Sequence, residues 1–155
     1  MTEQSIVSMT TPFTVQTSTL IMAKDVRDGL LVTALDGQYG GSNYWIGQIV
    51  VPRQKPITDE KGVVLLSPPP EGTDFFDVPF IPGCGIQIFE DDEELTAEDE
   101  PSPPHYITLA TMHKGLELLA SNYRKHWHDF INESADAGTA DVWLQLVCLG
   151  EVVYG

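Results

Sequence analysis

The sequence contains few cysteines, few basic residues and no long apolar run. Its 155 residues include two cysteines and eight lysines and arginines, against 23 aspartates and glutamates. Cys84 and Cys148 lie in apolar surroundings, so we interpret them as buried thiols in a reducing compartment, with no disulfide framework. No apolar stretch approaches the ~18 residues of a membrane span, and the first residues lack the basic-then-apolar order of a secretion signal. We therefore expect a cytoplasmic protein.

The shortage of basic residues gives the chain a formal net charge of −15 at pH 7. Nucleic acid and anionic lipid would both repel such a chain, so we expect no direct binding to either and no membrane partner. A chain of this length buries roughly 68–70% of its unfolded surface, so it can form a core without metal or disulfide staples. We predict one domain over residues 1–155 and no cofactor.

Short segments rich in β-branched and aromatic residues predict strands. In the first of them, Phe13-Thr14-Val15-Gln16-Thr17, apolar and polar side chains alternate. The others are residues 44–51, 63–66 and 86–89, and Gly47 marks a bulge or a close approach of two backbones. Together these segments suggest a small antiparallel sheet.

Apolar residues that recur every three or four positions predict about three helices. The first covers residues 24–36. The second follows Thr108, a plausible N-cap, and its apolar stripe continues to Phe130. The third, residues 141–149, is apolar at nearly every position and stops at Gly150, which is typical of a central buried helix. The fold class is therefore predicted to be α+β, a small antiparallel sheet covered by about three helices.

Two separated parts of the chain resemble a group of small bacteriophage and prophage proteins. In that group a helix leads into a Gly-rich turn and a Tyr-Trp pair, matched here by residues 31–37 and then Tyr39-Gly40-Gly41-Ser42-Asn43-Tyr44-Trp45. The later pieces of the pattern are matched by Thr108-Leu109, Gly115-Leu116, Ala140-Asp141-Val142 and Leu149-Gly150-Glu151-Val152-Val153-Tyr154-Gly155. The group has no assigned chemistry, so the resemblance implies a phage origin and a common fold. Residues 52–104 depart from the group in length and acidity.

Acidic side chains are concentrated in one segment, residues 90–104, which we call the acidic loop. Duplex DNA carries a negative charge about every 1.7 Å of its axis, so a basic groove built for it attracts a rigid array of carboxylates. A solvated, partly mobile loop is the alternative interpretation, and a divalent-cation site is a weaker one, since the run lacks the ligand spacing of a calcium loop. The candidate partner-binding residues of the loop are Glu90, Asp91, Asp92, Glu93, Glu94, Glu98, Asp99 and Glu100.

A Gly-rich loop at residues 38–43 separates the first helix from a strand. It follows a helix, whereas phosphate-binding loops open one, so the pattern does not favour a phosphate site. The simpler interpretation is a turn that needs positive φ at two glycines. Beside it, Tyr39, Tyr44 and Trp45 are candidate anchors for a partner or a small ligand, although Trp45 also fits the core.

The remaining polar residues favour structure over catalysis. His126 and His128 are two positions apart, whereas zinc ligands on one helical face need i,i+4 spacing, so we predict no metal site. No cysteine or serine lies in a local setting typical of a nucleophile. Asp141 is placed in the first turn of its helix, where it would accept hydrogen bonds from free backbone amides. A carboxylate near a pocket could also serve acid–base chemistry.

These features favour a non-enzymatic phage protein that binds a basic surface of a host protein in the host cytoplasm. It would inhibit or modulate that partner, for example as a nucleic-acid mimic against a defence or transcription complex. One alternative is a small enzyme or ligand-binding domain with its site at residues 37–45. Another is a homo-oligomeric virion or regulatory component whose interface uses Phe75-Phe76 and the Tyr-Trp pair.

Overall fold

A β-hairpin and a helix form the first described elements. The computed structural model describes residues 9, 11–16, 18–36, 40–92 and 96–155. Strand β1 (Pro12–Val15) pairs antiparallel with β2 (Thr19–Met22), and Phe13 and Val15 are buried between exposed neighbours. This burial follows the alternation in the sequence, because successive side chains of a strand point to opposite faces. The partner strand β2 was not predicted.

Helix α1 covers residues 23–35, close to the prediction of 24–36. Its three consecutive segments are Ala23–Val26, Arg27–Leu31 and Val32–Leu35, and the middle one is π-helical. The helix buries one face, formed by Val26, Leu30, Leu31, Ala34 and Leu35. A π-helical turn inside an α-helix holds an extra residue and often lies at a functional site.

The middle of the chain forms strands of two separate sheets. Strand β3 (Ile46–Val50) is followed by the hairpin of β4 (Ile57–Thr58) and β5 (Val64–Leu66), then by β6 (Ile86–Glu90) and β7 (His105–Ile107). The order β3-β6-β7 forms an antiparallel sheet, whereas β4 and β5 form a separate two-stranded sheet. The prediction of strands was confirmed for residues 44–51, 63–66 and 86–89, whereas β4 and β7 were not predicted. The expectation that residues 63–66 join the sheet of residues 86–89 was wrong.

Gly47 lies at an irregularity of the β3–β6 pairing, as its position in the sequence predicted. The register shifts between Ile46 and Gln48. A Cβ atom at Gly47 would lie 2.9 Å from the carbonyl oxygen of Glu90, so only glycine fits without a backbone shift. The glycine therefore allows both the bulge and the close approach of β3 to the end of β6.

Three helices follow the sheet. Helix α2 (Leu109–Asn122) follows the predicted N-cap, Thr108, whose hydroxyl accepts from the amide of Thr111. The side chain of Thr111 in turn accepts from the amide of Thr108, which completes a capping box. The apolar stripe that was predicted to run on to Phe130 is divided between α2 and a separate helix, α3 (Arg124–Ile131).

Helix α4 (Ala137–Leu149) is the central buried helix of the prediction, although it starts earlier than expected. Asp136 is its N-cap and accepts from the amide of Thr139, while Gly150 ends it in a left-handed conformation with φ of 78°. Helix α4 packs so closely on α2 that a Cβ atom at Gly115 would lie only 2.5 Å from Cγ2 of Val147.

The main core joins the hairpin β1–β2, helix α1, the three-stranded sheet and helices α2 to α4. Its largest fully buried side chains include Trp45, Trp143, Leu30, Leu31, Ile86, Ile88, Ile107, Met112, Leu116, Leu119 and Leu144. The protein thus has an α+β fold, in which small antiparallel sheets pack against helices, as predicted. No helix within the described ranges is long and apolar enough to cross a membrane.

Candidate functional site

The acidic loop connects two neighbouring strands, β6 and β7, and both of its ends are held by the fold. The amide of Asp91 donates to the carbonyl oxygen of Trp45 at 2.8 Å. The carboxylate of Asp92 accepts from the amide and from the hydroxyl of Ser102, each at 3.1 Å. These two bonds close the loop between residues 92 and 102.

Within the closed loop, three consecutive carboxylates face solvent. Glu98, Asp99 and Glu100 are all exposed. Asp99 accepts from the amide of Thr96 at 2.8 Å, which folds this part of the loop into a turn. Glu93 and Glu94, two further predicted contacts, lie outside the described residues. The exposed acidic surface that the structure places is therefore formed by residues 98–100 and by the exposed Asp91.

Two of the predicted partner contacts are used inside the fold instead. The side chain of Glu90 is 13% exposed, and it accepts from the hydroxyl of Tyr154 and from Nε2 of His105, the latter at 2.9 Å. Asp92 is half-buried and bonded to Ser102. Burial opposes ionisation of Glu90, but the bonds from Tyr154 and His105 outweigh it and hold its pKa below the ordinary value. Glu90 and Asp92 therefore anchor the loop, and their hydrogen-bonded carboxylates are less exposed than those of residues 98–100.

A second polar group, which we call the Asp141 cluster, lies beneath the Gly-rich loop. It consists of Ser42, Tyr44, Trp45, Asp141 and Gln145. One oxygen of Asp141 accepts from the hydroxyl of Ser42 and the indole nitrogen of Trp45, both at 2.8 Å. The other oxygen accepts from the hydroxyl of Tyr44 at 2.6 Å and the amide of Gln145 at 3.1 Å.

This arrangement assigns Asp141 a structural role. The prediction that it accepts from backbone amides in the first turn was wrong, because Asp141 is the fifth residue of α4 and its acceptor positions face side chains. A carboxylate offers about four lone-pair sites, and four donors occupy them here. Burial and the bond to Asp141 raise the pKa of Tyr44 to about 12, which keeps the phenol protonated as a donor.

Gln145 extends the cluster to the residues that follow α4. Its side-chain oxygen accepts from the amides of Val153 and Tyr154, both at 2.8 Å. Its amide nitrogen donates to the carbonyl oxygen of Tyr154 at 3.1 Å. The ring of Tyr154 also stacks on Trp45, with ring centroids 5.7 Å apart. One buried side chain thus fixes the extended segment 151–155, and through Tyr154 this segment reaches Glu90.

The glycines of the Gly-rich loop are required by close packing. A Cβ atom at Gly40 would lie 2.5 Å from the carbonyl oxygen of Ala34, and one at Gly41 would lie 2.4 Å from that of Ala137. Neither glycine has a positive φ, so the expectation of two left-handed glycines was wrong for these two positions. The loop is held between the end of α1 and the start of α4, which leaves no space for a ligand at the two glycines.

The aromatic residues of this loop differ in what they could contact. Trp45 is 1% exposed and belongs to the core, so it is not available as a surface anchor. Tyr44 is 54% exposed and remains accessible beside its bond to Asp141. Tyr39 lies outside the described residues. Of the three predicted anchors, only Tyr44 is shown at the surface.

The histidines and cysteines are dispersed. His126 bonds Thr139 at 2.8 Å, His105 bonds Glu90, and His113 lies 2.8 Å from the carbonyl oxygen of Thr14. Where the structure places residues, it brings together no three metal-ligating side chains in a group that could hold an ion. Burial raises the pKa values of the Cys84 and Cys148 thiols, which disfavours the reactive thiolate.

The Phe75-Phe76 pair, a candidate oligomer contact, is half-buried in a 3₁₀-helix, Phe75–Phe80. The two rings meet edge to face with centroids 5.0 Å apart. The guanidinium of Arg27 lies over Phe76 at 6.0 Å from its centroid, and its Nε donates to Asp77 at 2.6 Å. Part of each ring is therefore already covered within the same chain.

Replacing Tyr154 by phenylalanine is expected to lower the free energy of unfolding by about 1.5 kcal/mol near neutral pH, because Glu90 loses a charge-assisted hydrogen bond. The low pKa of Glu90 means that this stabilisation is complete above 4.5 and is lost as the pH falls below it. The bond to Glu90 and burial raise the pKa of Tyr154 to about 12, so the stabilisation is also lost as the pH rises above 10.0. The difference in the free energy of unfolding between wild type and variant should therefore shrink at both low and high pH.

Denaturant unfolding of the two proteins across this pH range measures the difference. Phenylalanine retains the stacking on Trp45, so the comparison isolates the hydroxyl. Tyr106→Phe is a matched control, since the Tyr106 hydroxyl accepts a long hydrogen bond of 3.5 Å from Gln87, a neutral donor. A difference that stays constant with pH would show that the Glu90 bond does not stabilise the fold.

Comparison with protein-family models, with curated proteins and with solved structures finds no match to this chain.

Proposed function

We propose that the protein acts by binding, with the acidic loop docking on a positively charged surface of another macromolecule. The observation that carries this proposal is the closure of the loop by Asp92 and Ser102 between two paired strands. Exposed carboxylates follow one another at residues 98–100 within that closure. Anchored ends lower the entropy that the loop would lose on binding, which is the main objection to a free acidic segment as a binding element.

Charge distribution supports the same proposal. More than half of the net charge of −15 comes from residues 90–100. A local excess of one sign attracts an oppositely charged surface over distances near the Debye length, about 10 Å at 0.1 M salt, and raises the association rate. Nucleic-acid-binding proteins of the host are the first partners to test, because their grooves are built for a dense negative charge.

The proposal is tested with a loop variant that combines Glu98→Gln, Asp99→Asn and Glu100→Gln. Immobilised wild-type protein is used to capture proteins from a bacterial lysate at low salt, and the Kd of each identified partner is then measured. We expect the loop variant to weaken binding about tenfold, since three exposed ion pairs at roughly 0.5 kcal/mol each amount to roughly 1.5 kcal/mol. Binding should also weaken strongly at about 1 M salt, where the Debye length falls to about 3 Å.

A matched control removes the same charge from other parts of the surface. Glu60, Glu71 and Glu151 are exposed, and their combined replacement by glutamine leaves the loop intact. This control should bind as the wild type does, apart from a small effect of net charge. Equal affinity of the loop variant and the wild type, or the absence of any partner whose binding depends on salt, would contradict the proposal. Competition by duplex DNA would identify the partner surface as a nucleic-acid groove, and binding unaffected by DNA would exclude mimicry.

A further inference from the structure

A groove of about 570 Å³ lies on a part of the molecule that the acidic loop does not line. Its walls come from strand β2 and helix α1 on one side and from the end of helix α3 and the residues after it on the other. The apolar part of the lining is formed by Leu20, Ile21, Gly29, Phe130, Ile131 and Ala135. Volumes of this order are typical of sites that receive a ligand or a large side chain.

Two large apolar side chains of the groove are left in contact with water. Leu20 is 62% exposed and Ile131 is 43% exposed, whereas Ile21 and Phe130 beneath them are buried. Scattered exposed apolar residues are ordinary, but here two of them line one concave surface together with buried apolar residues. The groove thus offers apolar area that an inserted side chain could cover.

The polar part of the lining carries an excess of negative charge. Asp25, Asp28 and Glu133 line the groove together with a single lysine, Lys24. Asp28 is partly balanced by Arg27 at 2.7 Å, while Asp25 and Glu133 are exposed. A partner segment that inserts an apolar side chain here would therefore gain from carrying basic residues next to it.

The wall formed by α1 combines Lys24 and Asp25 with Asp28 and Gly29, and the latter two lie in the π-helical segment, Arg27–Leu31. Gly29, which lies in this segment, has no side chain, and a Cβ atom there would still be 3.6 Å from the ring of Phe130. A side chain at position 29 would therefore fit the fold but would narrow the groove, and the glycine keeps the groove wide. π-Helical turns are found often at functional sites, and this one lies against the groove.

We propose that this groove binds a segment of a protein partner in which one or two large aliphatic side chains are flanked by lysine or arginine. The inference rests on the proposed function, since it gives the positively charged partner a second contact of defined chemistry. The aliphatic side chains would contact Leu20, Ile131 and Phe130, and the basic residues would face Asp25 and Glu133. An apolar centre surrounded by a polar rim is the usual arrangement of a protein interface.

The probe for this proposal is a synthetic peptide with two adjacent leucines, two lysines on either side, and glycine at each end. Two matched peptides replace the leucines by serine or the lysines by glutamate. We expect binding of the first peptide to shift the backbone amide resonances of Gly29, Ile131 and Ala135 in the ¹⁵N-labelled protein. Both matched peptides should bind at least tenfold more weakly, because one lacks the apolar anchor and the other meets an acidic rim.

Protein variants separate the groove from the acidic loop. Leu20→Ser and Ile131→Ser change exposed side chains and should preserve the fold, which circular dichroism checks, and they should each weaken the peptide at least tenfold. Gly29→Leu fills the groove from its α1 wall and provides an independent test. Val63→Ser, at an apolar residue 56% exposed in a different hairpin, is the matched control and should bind normally.

Resonance shifts confined to residues 96–100, or equal binding by the groove variants and the wild type, would overturn the groove proposal and leave the acidic loop as the binding element. Conversely, loss of peptide binding in the groove variants, with no salt-dependent partner for the loop, would uphold the groove site and contradict the function proposed for the loop. Equal binding of the leucine and serine peptides would show that charge alone attracts the probe, and this result also overturns the groove proposal.

Discussion

Replacing Asp141 by alanine is expected to lower the free energy of unfolding by about 4 kcal/mol, measured by denaturant titration. The hydroxyl of Ser42 and the indole nitrogen of Trp45 would both lose their acceptor, and these residues are 0% and 1% exposed. A buried donor without a partner costs about 1–3 kcal/mol, because water cannot reach it in the folded state. The alanine also leaves the amide of Gln145 without one of its acceptors.

Asp141→Asn tests the hydrogen-bond account more narrowly. Asparagine keeps the size of the side chain but turns one acceptor into a donor, which would face the donors of the cluster. We expect a loss of about 2–3 kcal/mol. Glu151→Ala, at an exposed carboxylate nearby in sequence, should change the stability by no more than about 0.5 kcal/mol. If Asp141→Ala proved no more harmful than Glu151→Ala, the cluster would not be a determinant of stability.

Gly41→Ala should have the second largest effect, a loss of about 3 kcal/mol. The added Cβ would lie 2.4 Å from the carbonyl oxygen of Ala137, and a backbone atom cannot move aside as a flexible side chain can. Gly41 also donates its amide to Thr33 at 3.0 Å, so the loop cannot retreat without breaking this bond. The displaced loop would carry Ser42 away from Asp141.

A helical glycine with free space provides the comparison. At Gly29 the new Cβ would meet Phe130 at 3.6 Å, an ordinary contact, so Gly29→Ala should be neutral or stabilise by about 0.5 kcal/mol.

The double variant of Gly41→Ala and Asp141→Ala should lose less free energy of unfolding than the sum of the two single losses, since both changes disrupt the same hydrogen bonds. Strict additivity would show that the loop and the carboxylate stabilise the fold independently.

The sequence predicts those parts of the fold that local chemistry determines. Thr108 caps a helix because its hydroxyl reaches the third amide of that helix, and Gly150 ends one because a left-handed residue is needed there. The buried face of α1 follows from the spacing of Val26, Leu30 and Ala34. Each of these signals lies within a few residues of the structure that it determines.

Contacts between distant residues could not be predicted in this way. The sequence predicts that Asp141 lies in a helix, but its partners Ser42, Tyr44 and Trp45 are almost 100 residues away, and no periodicity encodes such a distance. Strand β7 was missed because it has three residues and follows two prolines. The role of Glu90 was hidden for a related reason. The residues that follow it are acidic, yet its position at the end of β6 directs it towards Tyr154.

The closure of the acidic loop by Asp92 and Ser102 also determines how well the fold would tolerate a longer loop. The contacts that close the loop lie at its two ends, so doubling its length would cost only about 0.6 kcal/mol in closure entropy. A change of length there would therefore leave the core intact. The loop is for the same reason a natural place to graft a foreign peptide or an epitope for labelling.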